Sequence, residues 1–148
     1  MAYRRILLGF DGSDGSGRAL ERAIELAHEA HGRVTVLSVA NLPVDPDLPR
    51  NFGTLDDFSA DEGDALSPPP EVAAHLREAG ERLASAGLEA NLMWRAGDPA
   101  RSIVDAAKEI RAQAIVLGEH HHGLLGNVFG ADVDAEVQRH AGCEVILA

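Results

Sequence analysis

The run Ile6-Leu7-Leu8-Gly9-Phe10 is apolar without alternation and stops at Asp11-Gly12-Ser13-Asp14-Gly15-Ser16-Gly17, a cluster of turn formers. A strand with one wet face alternates apolar and polar residues. A strand covered on both faces does not, so this run predicts a strand inside a parallel sheet with helices above and below. Leu20, Ala23, Ile24, Ala27 and Ala30 follow at three- and four-residue steps, the stripe of an amphipathic helix that ends near Gly32. Val34 to Ala40 is then apolar and β-branched, a second strand, and the opening unit is βαβ.

The same alternation continues beyond an interruption. Prolines 43, 46, 49, 68, 69 and 70 and the acids between Asp45 and Asp64 mark a long acidic loop at about 41–70. Glu71 to Ala86 carries Val72, Leu76, Ala79 and Leu83 on one face and stops at Gly87, so a helix is expected there. Leu88 to Arg95 reads as the third strand. Asp98 and Pro99 cap and start a third helix with Ile103, Ala106, Ala107 and Ile110 on its inner face. Ala114 to Gly118 is the fourth strand. Val133 and Val137 belong to a short fourth helix, and Cys143 to Leu147 is the last strand. Five strands alternating with four helices predict a three-layer, doubly wound parallel sheet joined by right-handed crossovers. A chain of 148 residues suits one such domain, residues 1–148.

Composition narrows the partners. A formal net charge of −11 opposes nucleic acid and anionic membranes, and Arg4-Arg5 is too small a basic patch to reverse that. The single cysteine, Cys143, excludes an intrachain disulfide and fits a reducing compartment, and no run is long enough for a signal peptide or membrane span. A cytoplasmic protein is therefore expected.

In doubly wound sheets, ligands sit beyond the carboxyl ends of the strands where strand order reverses. With the first strand central and flanked by the second and fourth, that crevice lies between Asp11 and Gly118. The glycine-rich turn Gly12 to Gly17 matches neither G-x-G-x-x-G nor G-x-x-x-x-G-K-[ST] and brings Asp14, so it reads as a turn with a serine or aspartate cap rather than a phosphate cradle. The longer segment from Gly118 to Asp132, punctuated by glycines and leading into the fourth helix, is the stronger ligand candidate.

Three stretches resemble the universal stress protein family: Arg5-Ile6-Leu7-Leu8-Gly9-Phe10-Asp11-Gly12-Ser13, Gly97-Asp98-Pro99-Ala100 through Ile115-Val116-Leu117-Gly118, and Arg139-His140-Ala141-Gly142-Cys143-Glu144-Val145-Ile146-Leu147. The resemblance implies a Rossmann-like, adenine nucleotide alpha hydrolase-like fold with strand order 3-2-1-4-5. It also implies a homodimer through the last strand, Glu144 to Ala148, a stress-response or ligand-sensing role without catalysis beyond slow nucleotide hydrolysis, and, in one branch, ATP as the bound cofactor. Carried onto this chain, the ligand positions are Gly9, Phe10, Asp11, Val39, Leu117, Gly118, His121, Ala131, Asp132 and Val133. Asp11 and Val39 match positions that contact the base, whereas Gly9 and Phe10 depart from the usual proline and small aliphatic residue. Phe10 could stack on a ring or fill the pocket.

The phosphate signature of that branch is G-x-x-G, nine residues, then G-[ST]. Its spacing falls on Gly118, His121, Ala131 and Asp132, and only the first matches. A side chain at 121 and 131 crowds a backbone that approaches phosphate, and a carboxylate at 132 replaces a hydroxyl, repelling phosphate by several kcal/mol at about 4 Å and an effective dielectric of about 20. Loss or weakening of ATP binding is the expectation. The alternatives are an adenine-nucleotide binder using the same cleft, with His120-His121-His122 replacing the glycine contacts, and a small α/β enzyme using Asp11.

Other chemistry is thin. Glu119 and the three histidines lack the remaining ligands of a zinc site, and no metal is expected. Asp57, Ser59 and Asp61 begin a calcium pattern that Glu62 breaks at the glycine position. No serine sits in G-x-S-x-G, and Cys143 reads as a small buried hydrophobe, so no catalytic residue is assigned.

Overall fold

A computed structural model describes residues 3–40, 68–118 and 131–148. In chain order they form β1 (Arg5–Gly9), α1 (Asp14–Ala30), β2 (Arg33–Ala40), α2 (Pro70–Ser85), β3 (Ala90–Ala96), α3 (Pro99–Ile110), β4 (Ala114–Leu117), α4 (Ala131–His140) and β5 (Glu144–Leu147). All strand pairs are parallel and their order is β3-β2-β1-β4-β5, the doubly wound order expected. The acidic segment from 41 to 67, with its calcium-like spacing, lies outside the described residues.

The absence of alternation in β1 has the cause inferred for it. Ile6 and Leu8 join the core under α1 and α2, whereas Leu7 joins the core under α3 and α4, and all three are fully buried. Val36 and Leu37 in β2, and Ile115 and Val116 in β4, divide between the two cores in the same way. Each central strand therefore supplies apolar surface to both layers, which a wet-faced strand could not do.

Most boundaries fall within a residue or two of the sequence expectation, and three of the differences have a clear local reason. The acidic loop was expected to run to Pro70, but α2 begins at Pro70, where a proline costs nothing because the first helical residue has no intrahelical N–H bond to lose. The third strand starts at Ala90 instead of Leu88. Leu88 instead completes the end of α2: its N–H donates to the Leu83 carbonyl at 3.0 Å and the Gly87 N–H to Ala84 at 2.9 Å, with Gly87 at φ +77°. That is the paired bonding of a left-handed helix stop, and Leu88 packs back on the core that holds Leu83.

The third difference is at the start of α1. Gly15 and Gly17 were read as part of the turn, yet the helix starts at Asp14 with Ser13 as its cap. The Ser13 hydroxyl accepts from the Ser16 N–H at 3.2 Å. Glycine is tolerated there because the first turn is anchored by that cap and by packing rather than by propensity.

The amino end of the sheet is tied off by polar contacts. Gln113 Oε1 accepts from the N–H groups of Arg4 and Arg5, at 2.6 and 3.2 Å, and Arg5 Nε donates to the Arg111 carbonyl at the end of α3 at 2.8 Å. The Tyr3 hydroxyl donates to the Glu144 carboxylate, a bond that holds the phenol pKa above its ordinary value. Arg5 is thus a helix stop as well as a surface charge.

Candidate functional site

The order of strands places the reversal between β1 and β4, since β1 is followed by α1 on one face whereas β4 is approached and left through α3 and α4 on the other. The crevice beyond their carboxyl ends is bounded by the residues that leave β1 and β4, namely Asp11-Gly12 and Gly118.

On the β1 side, Phe10 donates its N–H to the Leu37 carbonyl at 3.0 Å, so the sheet extends one residue past β1 before the chain turns. Asp11 follows at once. Its Oδ1 accepts from the Ser13 N–H at 2.9 Å, a side-chain turn that leads into the cap of α1. Its Oδ2 is buried and has no hydrogen-bond partner among the described residues. A carboxylate oxygen removed from water without a donor costs about 1–3 kcal/mol or more, so this atom is an acceptor poised for a donor from outside the described residues.

Gly12 makes the turn at φ +79°, and a methyl group there would lie 2.6 Å from Nε2 of His75 on α2. A side chain there is disfavoured on two counts, a left-handed backbone and the tip of the His75 ring. Phe10 is 1% exposed and lies in the core between β1, α1 and α2, edge-on to His75. Its side chain is therefore part of the core rather than of an open surface.

On the β4 side, Leu117 is buried and ends the strand, and Gly118 follows it, one residue short of the expected strand end. A Cβ on Gly118 would stand 2.3 Å from the carbonyl carbon of Gly15 and 2.7 Å from the Ser16 nitrogen. The carboxyl end of β4 therefore rests directly on the first turn of α1. The one residue of the phosphate signature that this chain keeps has a packing reason to be glycine.

The glycine-rich turn carries the cap of α1: the Ser13 hydroxyl takes the Ser16 N–H, Asp14 adds negative charge in the first turn, and Gly118 packs against Gly15. A serine or aspartate cap was the sequence reading, and Ser13 is the cap.

The remaining residues distribute as follows. Val39, 3% exposed, lies near the end of β2 in the α3–α4 core, and Gly9 closes β1 in register with Leu37. Val133 packs from α4 against that core. His121, with Glu119, His120 and His122, lies outside the described residues. Ala131 and Asp132 are the first two residues of α4. Among the described residues no group of three or more His, Cys, Asp or Glu could hold a metal ion, and no helix is long and apolar enough to cross a membrane.

His75 was missed by the sequence reading. A signal for it existed: it stands three residues after Val72 and four before Ala79, at the margin of the buried stripe of α2, and α2 follows β2, so its first turns belong at the carboxyl end of the sheet.

Comparison with known proteins places this geometry. A protein of Thermus aquaticus described as a universal stress protein in a sulfhydrylase 3′ region is 32% identical over 145 residues, covering 98% of each chain. Universal stress protein Rv1636 of Mycobacterium tuberculosis is 30% identical over 148 residues, covering 99% of this chain and 96% of that one. Among solved structures, a universal stress protein in complex with cAMP superposes with a TM-score of 0.71 at 25% identity, covering 100% of this chain and 98% of that one. Residues 2–148 match the family described as the Universal stress protein family, and with the parallel order β3-β2-β1-β4-β5 and the crevice at β1 and β4 in place, the chain belongs to it.

Proposed function

We propose that this protein is a cytoplasmic, one-domain, non-enzymatic ligand-sensing module of the stress response that takes the base of an adenine nucleotide in the crevice beside Asp11 and holds its phosphates weakly. The observation that carries the reading is the buried, unpartnered Oδ2 of Asp11 at the carboxyl end of β1. An exocyclic amino group supplies the N–H donor that this oxygen lacks, and a charged acceptor strengthens such a bond to about twice that of a neutral pair. The likeness to a protein solved with cAMP supports an adenine-containing ligand.

The weak phosphate grip follows from sequence and packing together. His121, Ala131 and Asp132 depart from the family's G-x-x-G, nine residues, G-[ST] pattern, and Gly118 is accounted for by its contact with Gly15. A second copy of the chain is the proposed partner, paired through Glu144 to Ala148. β5 is the sheet's edge, and Val145, Ile146 and Leu147 are only half-buried, a surface that proteins cover.

Calorimetric titration of adenosine, AMP, cAMP and MgATP into the purified protein tests the ligand reading. Adenosine and its nucleotides should bind within about tenfold of one another, because little affinity comes from phosphate. Binding of none of them would overturn the base site, and low-micromolar MgATP with undetected adenosine would overturn the weak phosphate grip. Light scattering at dilute concentration should give twice the chain mass, and a monomer at all concentrations would remove the dimer.

A further inference from the structure

Asp11 is held by more than its own turn. The ring of His75 lies edge-on to Phe10, with centroids 6.4 Å apart and planes at 78°. The same ring stands over Gly12, where an ideal Cβ would be 2.6 Å from Nε2 and 2.7 Å from Cδ2. His75 therefore touches the residue before Asp11 and the residue after it, from a helix that reaches the site by a separate route through β2. Asp11 in turn fixes Ser13 through the Oδ1 bond at 2.9 Å, and Ser13 caps α1.

We infer that His75 is a positioning residue for Asp11: its ring braces the Phe10–Gly12 turn from α2 and so fixes the direction in which the Asp11 carboxylate meets a ligand. The physical argument is one of degrees of freedom. A turn built on a positive-φ glycine has few intrinsic constraints, since Gly12 carries no side chain to pack. An aromatic ring that meets the Phe10 ring and covers the Gly12 backbone restrains the chain on both sides of Asp11. A neighbour of the same flat shape can do this, and a methyl group cannot. The role is separate from bonding a ligand, because it acts on the turn in the ligand-free protein.

The consequence for ligand affinity rests on the adenine reading of Asp11, whereas the consequence for the turn does not. The test uses the full chain with His75→Ala, His75→Gln and His75→Phe, and reads amide hydrogen exchange of Ser13, whose N–H is held by Asp11, without ligand. Exchange at Ser13 should speed up about tenfold in H75A and by an intermediate amount in H75Q, with H75F returning it to within about threefold of wild type. Amides of β5, at the far edge of the sheet, should keep their wild-type rates. Unchanged exchange at Ser13 in H75A would overturn the inference. Equal acceleration at Ser13 and throughout β5 would also overturn it, because that is global destabilisation rather than bracing.

Binding supplies a second readout. H75A should weaken AMP about fivefold in the wild-type background and leave it nearly unchanged in an Asp11→Asn background, since a brace acts only through the group it holds. Independent losses in the two backgrounds would overturn the brace as the route to the ligand. If wild type binds no adenine compound and Ser13 exchange still responds selectively to H75A and H75F, the brace stands and the adenine reading falls.

Discussion

Gly12 and Gly118 follow neighbouring strands, β1 and β4, and form the two lips of one crevice, yet they are glycine for different reasons. At Gly12 the constraint is a positive φ of +79° together with the tip of a side chain, His75. At Gly118 no positive φ is involved, and the obstacle is backbone: the Gly15 carbonyl carbon at 2.3 Å and the Ser16 nitrogen at 2.7 Å from an added Cβ. A side chain can step aside, but the first turn of a capped helix cannot do so without breaking its cap. The lesson is that a glycine at a signature position can answer to packing, whatever it does for a ligand.

The largest expected effect follows from that contrast. Gly118→Ala should destabilise the fold by about 3 kcal/mol, at the upper end of overpacking penalties, read as a lower urea midpoint at unchanged slope. A loss below about 1 kcal/mol would mean that β4 and α1 are not in the contact described.

Gly12→Ala should cost less, about 1–2 kcal/mol, made up of left-handed strain and the displacement of His75. The comparison sharpens in a double-mutant cycle: with His75→Ala already present, Gly12→Ala should lose the steric part and keep the conformational part. Additive costs would show that His75 does not press on Gly12.

The phosphate side of the comparison can be broken by restoration. Replacing His121→Gly, Ala131→Gly and Asp132→Ser together returns the family's pattern at the positions that depart from it. MgATP should then bind about tenfold tighter or more, with adenosine unchanged, as removal of one carboxylate repulsion alone would give. An equal gain for adenosine would place the effect outside the phosphate region.

The smallest effect serves as a control away from both lips. Cys143 precedes β5 at the amino end of the sheet, and burial holds its thiol above the ordinary pKa. The native state then retains the thiol proton more tightly than the unfolded chain does. Its contribution to stability is complete below the unfolded thiol value of about 8.5 and is lost as pH rises through the folded value. Urea midpoints from pH 7 to 10 should therefore fall slightly more for wild type than for Cys143→Ala, and adenosine should leave that difference unchanged.

Much of this was legible in the chain itself. The unbroken apolar runs of β1 and β4 report burial on both faces, and together with the intervening helices they place the crevice before any coordinates are needed. Asp11 was singled out because it stands at the mouth of that crevice and matches a position that contacts the base in the family the chain resembles. Less visible were features that depend on contacts between distant segments. Gly15 reads as a turn residue until β4 is seen resting on it, and Leu88 reads as a strand residue until its N–H is followed back to Leu83. His75 lay at the margin of a buried helical stripe, but only the relative placement of α2 and the β1 turn brings its ring to Gly12. At the site, Phe10 was read only as a ligand-side residue, and its place in the core under α1 and α2 shows only once those helices are packed on β1.

The central claim is that the base half of the crevice is built around Asp11 and that the phosphate half adds little. Asp11→Asn tests it with little disturbance, because the amide oxygen can still accept from Ser13 while an N–H donor replaces the Oδ2 acceptor that meets the ligand. Calorimetric titration of adenosine and MgATP into wild type and Asp11→Asn should show both ligands binding wild type with affinities within about tenfold, and both weakened about 10–100-fold by the substitution. Low-micromolar MgATP that tolerates Asp11→Asn, with no measurable binding of adenosine, would contradict the account.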